Sequence, residues 1–279
     1  MSRYSQALCR HLANYKRTRL GVRENGVWAK NQRAYPHILP KALYPLNLIE
    51  SVRSEGLAYF AAHPELKLHR DFHHLNSSQA FALNLVLPFM TRQVEDASAL
   101  FGALGESRAV ERIQPEWIPD PAEGTNVDLT WWNDAGAATC CEVKLTESEF
   151  GSVKRTPRYE QRLESPYRAR LKRFVDPKFL QPDEFCAHYQ LLRNVALLSR
   201  SDVRAIVFLL PRANDSLQAP LERLQNALLP PALDRVRVHF VEDVLARVET
   251  AEKQSARVRL HFAAVREKYL VTEGTIGGA

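Results

Sequence analysis

The 279-residue chain contains no run of about 18 apolar residues, so nothing in it reads as a membrane span. The N-terminal stretch Met1-Ser2-Arg3-Tyr4-Ser5-Gln6 has no apolar signal core, which points to the cytoplasm. The four cysteines, Cys9, Cys140, Cys141 and Cys186, suggest no disulfide framework. Cys140 and Cys141 are neighbours on a predicted strand and face opposite ways, as reduced core or site-wall residues. A Gly-x-x-x-x-Gly-Lys-Ser/Thr loop is lacking, which argues against nucleotide hydrolysis by the chain itself. So is a Gly-x-Ser-x-Gly elbow, which argues against a serine hydrolase. His69, His73 and His74 have no cysteine near them, and His73 and His74 face apart on any regular element, which disfavours structural zinc.

What is present is an ordinary globular composition, 45% apolar and 25% charged, with an uneven distribution of charge. Residues 1–34 carry eight Lys and Arg against one acid, Glu24, a net of +7. Between Lys154 and Lys178 nine basic residues stand against Glu160, Glu164 and Asp176, a net of +6. The whole chain is only +6, so the remainder carries −7. Two basic segments on an otherwise acidic protein fit a polyanionic partner. Arg168, Arg170 and Lys172 are candidate phosphate contacts, of a kind that supplies affinity rather than sequence choice.

The most informative pattern lies between residues 125 and 145. Thr125 to Trp132 and Ala137 to Leu145 are rich in β-branched and aromatic residues and read as two strands. A three-residue loop, Asp134-Ala135-Gly136, closed by Asn133 and Ala137, makes facing residue numbers sum to 270. Gly136 suits the left-handed position that ends such a loop. In that register Asp128 sits opposite Glu142 on one face, with Cβ atoms roughly 4.5–5.5 Å apart. Lys144 projects from the same face roughly 7 Å further along. Opposed carboxylates destabilise a sheet, and a divalent cation would compensate them. Carboxylates, a backbone carbonyl and waters are the donors that hard Mg²⁺ prefers. Such an ion activates water and stabilises charge developing at a phosphate. An adjacent ammonium would orient that water or lower its pKa.

Asp128 followed by Glu142-Val143-Lys144 on the next strand resembles the PD-(D/E)XK nuclease superfamily. The segments His74-Leu75-Asn76-Ser77-Ser78-Gln79-Ala80, continuing to Asn84, and Tyr189-Gln190-Leu191-Leu192-Arg193-Asn194 narrow the likeness to bacterial restriction endonucleases within it. The resemblance runs from about Tyr35 to about Leu210. One departure is that Asn126-Val127, rather than a proline, precede Asp128. The resemblance implies a Mg²⁺-dependent endonuclease, with Mn²⁺ able to substitute, acting on DNA. Asp128, Glu142 and the carbonyl of Val143 would hold the metal, and Lys144 would position or help deprotonate the attacking water. Superfamily members often carry an acid on the first core helix, where this chain offers amides, among them Gln79. Gln190 and Arg193 lie three residues apart beside the apolar stripe of a later helix and could approach the hairpin to contact a metal-bound water or a phosphate. That makes Gln190 a candidate catalytic residue and Arg193, with Gln79, a candidate nucleic-acid contact.

The remaining elements follow from periodicity. Residues 1–45 read as an irregular or partly helical N-terminal arm, 46–270 as the nuclease-like domain and 271–279 as a flexible tail. Helices are expected over Leu48–Ala62, from Asn76 or Ser77 to Leu87 where Pro88 stops it, and over Thr91–Leu104. A strand follows near Val110–Gln114. An amphipathic helix spans Pro182–Leu198, strands cover Val203–Leu210 and Arg235–Val241, and a helix or pair covers Glu242–Leu270. This is an α/β protein with a restriction-endonuclease-like core, a mixed central sheet flanked by helices in the order α-β-β-β-α-β. A homodimer is compatible with the reading. The competing function is a non-catalytic nucleic-acid-binding protein that keeps the same fold.

Overall fold

The computed structural model describes residues 2–90, 97–121, 123–124, 126–252 and 254–271. The chain opens with α1 (Arg3–Thr18), the hairpin β1 (Gly26–Trp28) and β2 (Arg33–Tyr35), α2 (Glu50–Ala62), α3 (Ser78–Met90) and α4 (Ser98–Ala103). Three strands follow: β3 (Val110–Trp117), β4 (Val127–Asn133) and β5 (Ala138–Val143). A helical crossover consists of α5 (Pro157–Arg162), α6 (Arg168–Leu171), α7 (Pro182–Ala187) and α8 (Tyr189–Ala196). The chain then returns through β6 (Val203–Leu210), α9 (Gln218–Ala227), α10 (Pro230–Leu233), β7 (Val236–Phe240), α11 (Val241–Thr250) and α12 (Ala256–Tyr269).

The five longer strands form one mixed sheet in the order β3-β4-β5-β6-β7. β3, β4 and β5 pair antiparallel, and β5, β6 and β7 pair parallel. This is the restriction-endonuclease-like α/β arrangement expected from the sequence. The register of the β4–β5 hairpin is also the expected one: Leu129 faces Cys141, Thr130 faces Cys140, and Trp132 faces Ala138. Its loop is closed by Asn133, whose Oδ1 accepts the N–H groups of Ala135 and Ala137, each at 3.1 Å. Gly136 sits at φ +72°, a left-handed position that a side chain would strain.

Side-chain alternation gives the sheet two apolar faces. Leu129, Trp131, Cys141 and Val143 join a core shared with α1, α2, α3, α4, α11 and α12. Trp132, Cys140 and Phe208 join a second core shared with α6 to α10. Cys140 and Cys141 are therefore buried thiols on opposite faces, as expected. The first 45 residues pack into the main body, because Tyr4, Leu8 and Leu12 of α1 enter the first core.

Three elements differ from their sequence expectation. α3 does not stop before Pro88 but runs to Met90. Proline removes the hydrogen bond to the carbonyl four residues back, that of Asn84. His261 Nε2 supplies the missing donor to that carbonyl at 2.7 Å. The single helix expected over 182–198 is broken at His188, whose backbone is non-helical (φ −113°, ψ 25°). Both its N–H and its ring Nδ1 lie 3.0 Å from the Glu184 carbonyl, where α7 ends, and α8 begins at Tyr189. The strand expected over 110–114 continues to Trp117. Of the helix expected over 91–104, the structure has α4, and Thr91–Asp96 lie outside the described residues, as does the expected tail beyond Val271.

Candidate active site

The C-terminal end of β5 is the centre of the site. Because side chains alternate along a strand, Glu142 and Lys144 point to the same face, toward α8. Glu142 is 3% exposed and Lys144 8%. A buried carboxylate needs donors on every side, and Glu142 has them. Lys144 Nζ lies 2.9 Å from its Oε1, Gln190 Nε2 donates to the same oxygen at 2.6 Å, and Asn194 Nδ2 donates to Oε2 at 3.0 Å. Lys144 also donates to Gln190 Oε1 at 3.2 Å, so the three side chains form a closed triangle. Burial pulls the Lys144 ammonium down, but the carboxylates of Glu142 and Asp128 outweigh it and hold its pKa above the ordinary lysine value. Lys144 is a cation at neutral pH.

Asp128, on β4, accepts the N–H of Val143 through Oδ2 at 2.8 Å. That bond ties the first acid to the strand of the second. Burial, and then the charge of Glu142, push the Asp128 carboxyl well above the usual carboxylate range, against the opposing effect of Lys144. Two carboxylates that raise one another's pKa are relieved by a proton or by a cation. Asp128 lines an open cleft of about 1080 Å³, as do Lys144 and Gln190. Asp128 and Glu142 are a pair: among the described residues no group of three or more His, Cys, Asp or Glu is gathered to hold a metal. A hard cation held here would complete its shell from a backbone carbonyl, such as that of Val143, and from waters or a substrate oxygen, as Mg²⁺ commonly does.

The loop after β5 is shaped around α8. Gly151 lies at φ +79°, and a Cβ there would meet Gln190 Oε1 at 2.9 Å. The Gly151 carbonyl accepts the N–H of Gln190 at 3.2 Å. Only glycine satisfies both the backbone conformation and the close approach. Glu147, which also lines the cleft, folds back to accept the Leu145 N–H at 2.6 Å.

Asp128, Glu142, Lys144 and Gln190 are thus brought together as the sequence suggested. Gln79 also lines the cleft, with its amide fully engaged: Oε1 accepts the His69 N–H at 2.7 Å, and Nε2 donates to Lys67 O at 3.1 Å and Glu116 Oε1 at 2.9 Å. Arg168, Arg170, Lys172 and Arg193 do not line the cleft. Arg168 pairs with Glu164 at 2.6 Å and Arg170 with Asp120 at 3.0 Å. Arg155 and Arg162 are likewise paired, with Glu160 and Glu123, so much of the basic run is neutralised by nearby acids.

Two further residues escaped the sequence reading. Asn194 sits one helical turn after Gln190, and that i, i+4 spacing was the available signal. Glu116, on β3, is held by Gln79 and by Asn126 Nδ2 at 2.7 Å, and it lines the cleft near Asp128. Its backbone is left-handed at φ +54°, a conformation that costs a non-glycine residue on the order of 1–3 kcal/mol. No sequence signal marks it, since the expected strand ended before it.

A mixed sheet whose β4–β5 hairpin carries paired acids and a lysine, with Asp128 and Lys144 lining an open cleft and Glu142 buried, defines a restriction-endonuclease-like protein. Residues 9–270 match the family described as "Restriction Endonuclease associating with ARP", and the chain belongs to that family. No curated protein and no solved structure matches it.

Proposed function

We propose that this protein is a PD-(D/E)XK-type endonuclease that hydrolyses DNA phosphodiester bonds with Mg²⁺, or Mn²⁺ in its place. The observation that carries the reading is the convergence of Asp128, Glu142, Lys144 and Gln190 at one end of β4 and β5, beside an open cleft. Asp128 and Glu142, with the Val143 carbonyl, suit a hard divalent ion, because they form an oxygen-donor set in which burial and the neighbouring Glu142 charge make an uncompensated Asp128 carboxylate unfavourable. Such an ion, when bound, supplies Lewis-acid stabilisation of a phosphate and a more acidic water.

The chain's own residues supply position and charge. Lys144 stays protonated, so it donates to the attacking water or to the phosphate oxygen on which negative charge grows. Gln190 bridges Lys144 and Glu142 and fixes the direction of both. Asn194 anchors the far oxygen of Glu142. Water attacks phosphorus in line as the bond to the leaving oxygen breaks; one of the water's protons ends on that oxygen and the other passes to the phosphate or to solvent. Incubation of supercoiled plasmid with the purified protein and Mg²⁺ should produce nicked or linear DNA, and EDTA should suppress it. Intact plasmid under every divalent condition, together with retained DNA binding, would instead indicate a non-catalytic binding protein on this fold.

A further inference from the structure

The cleft draws its lining from two chemically different parts of the chain, which we call its walls. One is the catalytic side, where Glu116, Asp128, Glu147 and Glu149 bring four carboxylates to the surface beside Lys144. A polyanion would be repelled there unless cations faced it from elsewhere. The other wall comes from the N-terminal third of the chain. Lys30, in the turn between β1 and β2, and Lys67 and Arg70, in the loop before α3, all line the same cleft and are exposed. None of the nine basic residues between Lys154 and Lys178 does so.

This wall is anchored to the catalytic strands. Leu39 N–H donates to His73 O at 3.1 Å, and Leu75 N–H donates to His37 O at 3.2 Å, so the segment after the β1–β2 hairpin is laced onto the segment before α3. Asn76 Nδ2 donates to Thr146 Oγ1 at 2.8 Å, two residues beyond Lys144. Gln79 grips the backbone of Lys67 and His69 from α3 while its Nε2 also donates to the Glu116 carboxylate. Lys30 Nζ stands 5.7 Å from the centre of the Trp28 ring. Arg70 Nε lies 3.7 Å from Asp71 Oδ2, and Asp71 lines the cleft beside it, so this wall carries three cations against one acid. No ion pair is seen for Lys30 or Lys67 among the described residues.

We infer that Lys30, Lys67 and Arg70 form the phosphate-binding wall of the cleft, holding the backbone of a polynucleotide against the carboxylate wall. The inference rests on the nuclease reading and names the surface by which that site takes its substrate. The ligand chemistry is a phosphodiester backbone, whether of DNA or RNA. Metal at the carboxylate wall and cations at the other would together neutralise successive phosphates.

The test is fluorescence anisotropy with labelled duplex DNA, single-stranded DNA and duplex RNA across a salt series. Ca²⁺ replaces Mg²⁺ to limit cleavage. Wild type is compared with the triple variant Lys30→Gln/Lys67→Gln/Arg70→Gln and with Arg168→Gln/Arg170→Gln/Lys172→Gln. The cleft triple should bind at least about tenfold more weakly, and the slope of log K against log salt should fall by about 0.9 per lost contact. The 168–172 triple should bind like wild type. The three cleft side chains are exposed, so melting temperature should be retained, and Lys67→Gln alone should give about a third of the slope change. The arm that binds tightest identifies DNA or RNA as the source of the phosphates. If wild type binds but the cleft triple is unchanged, or the loss falls on the 168–172 triple, the wall is wrong and the nuclease reading stands. If wild type neither binds nor cleaves any polynucleotide, both fail together.

Discussion

Lys144 is where the chemistry of a single side chain decides most. Its ammonium is buried, paired with Glu142 and hydrogen-bonded to Gln190, which keeps it charged and oriented. Lys144→Ala should therefore reduce plasmid cleavage by about 10²-fold or more, in line with losing a positioned proton-donating group. The substitution also removes one partner of a buried ion pair, so folding stability should fall, by about 3–5 kcal/mol if nothing else fills the gap. Polynucleotide binding in Ca²⁺ by the folded fraction should persist. Lys144→Arg should not restore cleavage, because a planar guanidinium does not fit the place of a compact ammonium between Glu142 and Gln190. Wild-type cleavage by folded Lys144→Ala would end the mechanism.

At the scale of elements, α8 is the partner that makes β5 a site. A strand alone cannot satisfy a buried Glu142; the helix brings Gln190 and Asn194 to its two oxygens. Asn194→Ala leaves Oε2 without that donor and should cost about 1–3 kcal/mol in urea unfolding. In a Glu142→Gln background the cost should shrink, since the demanding charge is gone. An equal cost in both backgrounds would mean that Asn194 serves the core and not the carboxylate. The helix is broken at His188 before α8 begins, a break that the periodicity of Phe185, Tyr189, Leu192 and Ala196 conceals. An apolar stripe reports that a helix is amphipathic, and it is silent on a carbonyl captured by a neighbouring imidazole.

For the whole molecule, the acid pair should make stability depend on pH and, on the proposed nuclease reading, on Mg²⁺. With its pKa raised, Asp128 keeps in the folded protein a proton that the unfolded chain gives up. Its contribution to stability is therefore lost as pH rises from the ordinary carboxylate range through that raised value. Asp128→Asn keeps an oxygen to accept the Val143 N–H and removes the charge. In EDTA at neutral pH its melting temperature should exceed that of wild type, and the difference should shrink on acidification. Mg²⁺ should reverse the order by stabilising wild type, by about 2.7 kcal/mol at a hundredfold excess over its Kd, with no response in the variant. Equal Mg²⁺ stabilisation of both proteins would remove Asp128 from the metal site.

The sequence by itself determined the hairpin and its register, and with them the approach of Asp128 to Glu142 and the common face of Glu142 and Lys144. Those are local consequences of a period of two and of one tight turn closed by Asn133 and Gly136. It also determined the order of strands and helices in the central sheet, because each apolar pattern is contained within its own segment. Only the tertiary structure decided what surrounds the pair. Asn194 reaches Glu142 from a helix that begins after the break at His188, Glu116 lines the cleft with a left-handed backbone in β3, and α3 outlasts Pro88 because His261 arrives from far along the chain. Charge shows the same limit most plainly. The basic run at 154–178 is conspicuous in the sequence, yet Arg155, Arg162, Arg168 and Arg170 meet acids when the chain folds. Lys30, Lys67 and Arg70, scattered in the sequence, come to line one cleft. A charge acts through its distance to its neighbours, and that distance is set by packing between segments far apart in the chain.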